Sequence, residues 1–310
     1  MDVQYDVIII GAGPAGMTAA VYATRAGLKA MMLEPEAPGG KLVKTFEISN
    51  WPGMKTVAGV DLAMQMFEHS TEYGCEYNYG RVMRVEADGK IRRVICDDGN
   101  VYTAHAVILA TGTVEKKLGL EHEERLTGRG ISYCAVCDGA FYKDKVVTVI
   151  GGGNSALEEA LYLTQFASHV RIVIRRDVFR AEPHTQDLVR KHPKIEVITK
   201  HIPVSYVEDN GKISGIVLLN VDTKEKTSYP TSAVFPYIGS TPATQAVAHL
   251  HVTDSEGYLI VNEKMETAVP GVYGAGDVCS KNLRQIVTAV GDGAIAAQQI
   301  FHYIQELSHE

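Results

Sequence analysis

A single arrangement, met twice, limits what this chain can fold into. Residues 5–36 read "YDVIIIGAGPAGMTAAVYATRAGLKAMMLEPE", and residues 145–176 read "KVVTVIGGGNSALEEALYLTQFASHVRIVIRR". Each runs from a short apolar segment through a glycine turn into a helical pattern and out into a second apolar segment. Apolar runs of this length without polar alternation read as strands buried on both faces of a parallel sheet. The turns give G-x-G-x-x-G at Gly11, Gly13 and Gly16, and the accepted variant G-x-G-x-x-A at Gly151, Gly153 and Ala156. The first glycine permits a tight turn and the second lets the backbone approach a pyrophosphate; the third position allows close helix–strand packing. The anion would sit on the helix N-terminus, where free N–H groups and the dipole favour negative charge. The fold class is α/β, with two Rossmann-like nucleotide-binding domains.

The ends of the second strands separate the two sites. In the first copy, strands are predicted over 6–10 and 28–33, and Glu34 follows 34 − 11 = 23 residues after Gly11. A carboxylate at that distance suits a ribose hydroxyl. In the second copy a strand is predicted over 145–150. Arg175 lies 175 − 151 = 24 residues after Gly151, with Arg176 and Arg180 close behind. An acid there would be repelled by a 2′-phosphate, whereas an arginine pairs with it. The first site therefore suits a nucleotide with a free 2′-hydroxyl, and the second favours NADPH over NADH.

The repeat extends beyond the fingerprints. Residues 82–113 and 204–241 each read as a three-stranded meander and a closing strand, with the turns "ADGK" and "DNGK" aligned. The fingerprints are offset by 151 − 11 = 140 residues and the turns by 211 − 89 = 122, so the first copy is longer by 18. The surplus falls at 35–57, after the adenosine-binding strand. An insertion there suits FAD, whose ribityl chain and three-ring flavin need extra wall. A third glycine stretch, "PGVYGAGDV" at 270–278, precedes the helical pattern "RQIVTAVGDGAIAAQQIFHYI" and sets Asp277 where a helix would start. Beside an FAD-type first half, it reads as the part that holds the ribityl chain and flavin. The expected domains are a discontinuous FAD-binding domain, 1–113 with 242–310, and an NADPH-binding domain, 114–241, inserted into it. Two short crossings near 113–114 and 240–242 would permit rigid-body rotation.

Residues 131–142, "ISYCAVCDGAFY", carry Cys134 and Cys137 just ahead of the strand at 145–150, and so within the NADPH-binding domain. A structural zinc wants four ligands, and no second cysteine pair or histidine cluster offers them. The other cysteines, Cys75, Cys96 and Cys279, make an odd count at irregular spacing, which is no disulfide framework; they read as packing thiols. The pair is better read as a redox disulfide. Asp138 is a proton donor and acceptor for the leaving thiolate, a helix N-cap, or both. The net charge, 30 − 37 = −7, points away from nucleic acid and acidic membranes as partners. No apolar run approaches the roughly 18 residues of a membrane span, and no basic leader opens the chain, so a cytoplasmic protein is expected.

The ordered motifs "GAGPAG", "GGKL", "NWPG", "ATG", "YCAVCDG", "GGGNSALEEA", "RRDVFRA" and "GAGDV…RQ" closely resemble low-molecular-weight thioredoxin reductases over essentially the whole chain. The resemblance implies a three-layer ββα architecture in each domain and a homodimer. It implies FAD held by Gly11, Gly13, Pro14, Ala15, Gly16, Glu34, Gly40, Lys41, Asn50, Val82, Thr111, Gly112, Gly276, Asp277, Arg284, Gln285 and Ile286. It implies NADPH held by Gly153, Asn154, Ser155, Glu158, Arg175, Arg176 and Arg180, and no metal. It assigns Cys137 to the flavin-facing thiol, Cys134 to exchange with thioredoxin and Asp138 to proton transfer. Electrons would pass from NADPH through FAD and the disulfide to thioredoxin, with the domains alternating between two orientations. Two positions depart from the family pattern: Lys41 stands where glutamine is usual, and Ile174 where histidine is usual. Related flavoproteins fit less well. The flavoprotein subunit of alkyl hydroperoxide reductase adds an N-terminal redox domain, which this chain is expected to lack. Ferredoxin–NADP reductases of this fold lack the cysteine pair, and small-molecule dithiol oxidases generally lack the paired arginines. The intact cysteine pair and aspartate also argue against a non-enzymatic sensor.

Overall fold

A computed structural model describes residues 3–309. The chain forms two compact units, Met1–Val114 with Thr241–Glu310, and Glu115–Ser240. The first unit opens with β1 (Tyr5–Ile10), α1 (Pro14–Arg25) and β2 (Ala30–Glu34). The second strand starts two residues later than its apolar run suggests. Gly27, at φ +82°, ends α1, and the N–H of Leu28 turns back to Ala23 O at 3.1 Å. The insertion after β2 holds a 3-10 turn, Gly40–Lys44, and the short pair β3 (Glu47–Ile48) and β4 (Val57–Ala58). Then follow α2 (Gly59–Glu72), β5 (Glu76–Tyr79), β6 (Val82–Asp88), β7 (Ile91–Cys96), β8 (Val101–Leu109) and β9 (Thr113–Glu115).

These strands line up as β5-β2-β1-β8-β7-β6. Alternation along β1 decides the layers. Val7 and Ile9 face a core built with α1 and α2, whereas Ile8 and Ile10 face an opposite core that includes Val85 of β6 and Val94 of β7. Burial on both faces explains the unbroken apolar run. The meander differs from its expected form. β8 is one continuous strand, antiparallel to β7 over its first residues and parallel to β1 from Ala104 onward. No proline interrupts it, so the third meander strand and the closing strand are the same strand.

The second unit contains α3 (Glu123–Leu126), α4 (Ala135–Asp138), β10 (Val146–Ile150), α5 (Asn154–Leu163), β11 (His169–Val173), α6 (Pro183–Lys191) and β12 (Ile195–Ile198). β13 (His201–Asp209), β14 (Lys212–Asn220), β15 (Lys226–Pro230) and β16 (Ala233–Pro236) complete it. Its parallel sheet has the order β12-β11-β10-β16, and β13-β14-β15 form a separate antiparallel sheet. Here Pro230, which has no N–H to donate, ends β15, and a new strand β16 joins β10. Val147 and Val149 pack towards α5, while Ile150 and Val234 meet Ile216 and Leu218 of β14. Helices, parallel sheet and antiparallel sheet thus make three layers.

The chain returns to the first unit through β17 (Ser240–Pro242), which pairs with β9 at the crossing. β18 (Val272–Gly274) joins the large sheet beside β8, and α7 (Ile286–His309) closes the chain. Asp277 does not start α7. It lies in a 3-10 turn, Gly276–Val278, and α7 begins 286 − 277 = 9 residues later. Arg284 ties the intervening loop back onto the turn by donating to Asp277 O. Among the described residues no helix is long and apolar enough to cross a membrane.

Candidate active site

Cys134 and Cys137 form a disulfide across the first turn of α4, with Cα atoms 5.3 Å apart. Cys134 is the N-cap, and its Sγ accepts the N–H of Cys137 at 3.1 Å. The segment that delivers it is fixed on both sides. Ser132 Oγ accepts the N–H of Cys134 at 3.1 Å, and Tyr133 Oη donates to Glu123 Oε1 at 2.6 Å. The buried Glu123 carboxylate also accepts the N–H groups of Leu118, Gly119 and Leu120, which offsets the cost of burying its charge. The N–H of Ala135 donates to Tyr237 Oη at 3.0 Å. Cys137 is exposed, and Cys134 and Asp138 are half-buried. Asp138 caps neither α4, where Cys134 does so, nor the following 3-10 turn Gly139–Tyr142, which has no side-chain cap bond. The capping alternative for Asp138 therefore has no support in the structure, and among the described residues no hydrogen bond or ion pair engages its carboxylate.

The remaining cysteines are free and buried. Burial pushes the Cys75 and Cys279 thiols up to about 12, so neither is a thiolate near neutral pH. Among the described residues no group of three or more His, Cys, Asp or Glu is placed to hold a metal ion.

The turn at the head of α5 is shaped for a phosphate. Gly151 sits at φ +144°, and a Cβ there would lie 2.2 Å from Tyr237 O. Gly153, the N-cap of α5, would meet nothing within 4 Å, so the backbone is open on that side. Asn154 Oδ1 accepts the N–H of Glu182 at 2.8 Å, and Ser155 and Glu158 lie exposed on α5. Arg175, Arg176 and Arg180 are all exposed beyond the end of β11, and none has an ion-pair partner among the described residues. Exposed guanidinium groups without ion-pair partners are able to pair with a phosphate. Ile174 faces inward, 5% exposed, and its Cγ2 would lie 2.9 Å from a Cβ on Gly152. Glu159, next along α5, has a buried Oε2 without a partner; burial and then the Glu158 charge push its carboxyl up to about 8.

The first unit repeats the cradle. A Cβ on Gly11, at φ +107°, would lie 2.4 Å from Ala110 O, and one on Gly16 would lie 1.9 Å from Gly11 O. Gly13 again has open space in front of it, and no side chain caps α1 behind Pro14. The Glu34 carboxylate reaches back, accepting the N–H groups of Ala12 at 2.9 Å and Glu36 at 3.0 Å. Gly40 stands against Gly13, Gly276 against Ala15, and Thr111 against Gly11. Asn50 Nδ2 donates to Gln285 Oε1 at 2.9 Å, and Ala243 N–H donates to Gly112 O at 3.1 Å. Lys41 donates to Thr113 Oγ1 and stands 3.9 Å from Asp277. The Arg284 guanidinium donates to the carbonyls of Asp277 and Cys279, each at 3.2 Å, and lies 4.0 Å over the Tyr258 ring. Ile286 opens α7 and packs on the helical core. Val82 opens β6 against the opposite core, two residues beyond Gly80, whose N–H donates to Glu34 O at 3.2 Å. An uncapped helix N-terminus, two glycines that tolerate no side chain and one facing open space fit the pyrophosphate of FAD.

Sequence reasoning missed Glu123, Tyr237, Lys281 and Asp292, all of which act on site segments through hydrogen bonds. Only Asp292 left a signal, as a lone acid between glycines in an otherwise small and apolar helical pattern.

Comparison with known proteins points one way. The family model for pyridine nucleotide-disulphide oxidoreductase matches residues 5–293. The thioredoxin reductase of Bacillus subtilis (strain 168) is 48% identical over 303 residues, covering 98% of this chain and 96% of its own. The crystal structure of Lactococcus lactis thioredoxin reductase matches with a TM-score of 0.95 at 44% identity, over 98% of this chain and 100% of that one. That of the T. acidophilum thioredoxin reductase matches with a TM-score of 0.91 at 34% identity, over 96% of this chain and 98% of that one.

Proposed function

The chain belongs to the pyridine nucleotide-disulphide oxidoreductase family, among its thioredoxin reductases, and on that premise we propose that it reduces the disulfide of thioredoxin with electrons from NADPH, through the Cys134–Cys137 disulfide. The observation that carries this reading is the Cys134–Cys137 bond on α4, in the same unit as the second glycine turn and beside Asp138.

FAD, when bound in the first unit, accepts a hydride from NADPH and passes two electrons to the disulfide. Gly11, Gly13, Gly16 and Glu34 would bind its pyrophosphate and ribose side, and Gly40, Lys41, Asn50, Asp277 and Gln285 would hold its remaining length. Gly153, Asn154 and Ser155 bind the NADPH pyrophosphate, and Arg175, Arg176 and Arg180 hold the 2′-phosphate. Cys137 would be the sulfur that receives electrons from the flavin. Two electrons break the Cys134–Cys137 bond, and Asp138 supplies a proton to one of the two sulfurs. The N–H of Cys137 that already points at Cys134 Sγ favours negative charge on Cys134. The Cys134 thiolate attacks one thioredoxin sulfur, breaking that disulfide and forming a mixed disulfide. Cys137 then attacks Cys134 Sγ, re-forming the internal bond and releasing reduced thioredoxin. NADPH and the disulfide belong to one unit and the flavin to the other. They take turns at it by rotation of the units about the crossings at β9 and β17.

The chain acts as a homodimer in the cytoplasm. The exposed Val60 and Met64 of α2 support an apolar contact surface, and three free thiols suit a reducing compartment. An anaerobic dithionite titration of the purified holoprotein tests the reading. Two centres in series require four electrons per chain for complete reduction, and C134S requires two. A wild-type protein fully reduced by two electrons would remove the disulfide from the route.

A further inference from the structure

Asp292 is the only carboxylate in the first unit that is buried among the described residues, at 9% exposure within α7. Its Oδ2 takes two donors, the N–H of Gly276 at 2.8 Å and the ammonium of Lys281. Both donors belong to the stretch between β18 and α7. A buried carboxylate persists only when its charge is paired and its lone pairs are met, and here one backbone turn and one loop cation meet them. The next residue locks the helix in place: a Cβ on Gly293 would lie 2.2 Å from Ala15 O. A Cβ on Gly276 would lie 2.9 Å from the Ala15 Cβ. Helix α7, the first fingerprint and the Gly276 turn therefore form one block, and Asp292 is its charged joint. Arg284 extends the same loop by donating to the carbonyls of Asp277 and Cys279.

We propose that Asp292 and Lys281 are positioning residues for the flavin: their ion pair holds the loop from Gly276 to Gln285 in the shape in which Asp277 and Gln285 meet FAD. The inference rests on reading the first unit as the FAD-binding unit. Removing one partner leaves the other as an unpaired, largely buried charge, and the loop relaxes to hydrate it. Removing both charges while keeping an acceptor for the Gly276 N–H does less harm.

Three holoenzyme variants test this: D292N, K281M and the double variant K281M/D292N. The rate of FAD release on dilution is read from the rise in flavin fluorescence, with the visible circular dichroism of the bound flavin and far-UV melting alongside. Each single variant should release FAD at least about tenfold faster than wild type, and the double variant more slowly than either. The flavin dichroism should change in the singles and return towards wild type in the double. Release at the wild-type rate in both singles overturns the inference, as does a double variant that releases FAD faster than both. A lowered melting temperature with unchanged flavin dichroism also overturns it, because the pair would then be structural alone. If the singles do not fold, the double decides: FAD release at the wild-type rate from a folded double overturns the inference. A wild-type protein that carries no FAD overturns the reading of the first unit itself, which distinguishes the two failures.

Discussion

Lys41 Nζ stands 3.9 Å from Asp277 Oδ2, so the residue that replaces the family's usual glutamine brings a positive charge to the loop assigned to the flavin. The ammonium also donates to Thr113 Oγ1, which fixes it there. The pair is half-exposed, and pairs of that kind are worth about 1 kcal/mol or less. K41Q should therefore fold and bind FAD. A reduced flavin carries more negative charge than an oxidised one, so loss of the cation should lower the flavin midpoint potential, by roughly 20 mV at most. Equilibration of the holoenzyme with a reference dye measures it; an unchanged or raised potential would place the Lys41 charge out of reach of the flavin.

The two cysteines should fail in different ways. C137S leaves Cys134 as a free nucleophile that cannot be resolved internally, whereas C134S leaves only Cys137. Both should lose at least about a thousandfold in thioredoxin reduction. Only C137S should accumulate a mixed disulfide with a thioredoxin whose accessible cysteine is activated as an aryl mixed disulfide. Non-reducing electrophoresis reads the adduct, and preferential trapping by C134S would exchange the two roles.

Among the described residues the side chains of Arg175, Arg176 and Arg180 have no hydrogen-bond or ion-pair partner, so their removal should be nearly silent for folding. R175A/R176A should lower kcat/KM for NADPH by about 10- to 100-fold, as expected for charge-assisted bonds to a phosphate. The value for NADH should change little. Equal losses for the two nucleotides would show that the arginines do not read the 2′-phosphate.

Glu159 gives a prediction in pH. Burial raises its carboxyl from an ordinary 4.5 to about 8, so between these values the folded protein keeps a proton that the unfolded chain has lost. Stability must then fall as pH rises through that window, and the full cost is present above about pH 8. E159Q cannot ionise. It should be more stable than wild type at pH 9, by on the order of 5 kcal/mol, with the advantage shrinking towards pH 5. Urea unfolding across this range decides; an advantage that grows as pH falls would reverse the sign.

Local signals carried much of this into the sequence. The two glycine turns, Glu34 and the arginines act through backbone geometry and charge at fixed spacing, and a linear reading finds such features. The cysteine pair likewise acts within one helical turn. Long-range geometry was less legible. Nothing near Val101 announces that β8 pairs antiparallel with β7 and parallel with β1 within one sheet, because one strand satisfies both neighbours. The delay between Asp277 and α7 was invisible, since the loop is held by Arg284 and Lys281 side chains reaching back rather than by a turn motif. The contact between Tyr237 and Ala135 spans 102 residues and leaves no periodic trace.

The most direct test of the electron route is a steady-state assay. NADPH oxidation is followed by its near-ultraviolet absorbance, with and without oxidised thioredoxin, and with NADH run in parallel. The account predicts rapid consumption that requires thioredoxin, prefers NADPH and disappears in C134S. Consumption independent of thioredoxin, or retained in C134S, would contradict a route through Cys134 and Cys137.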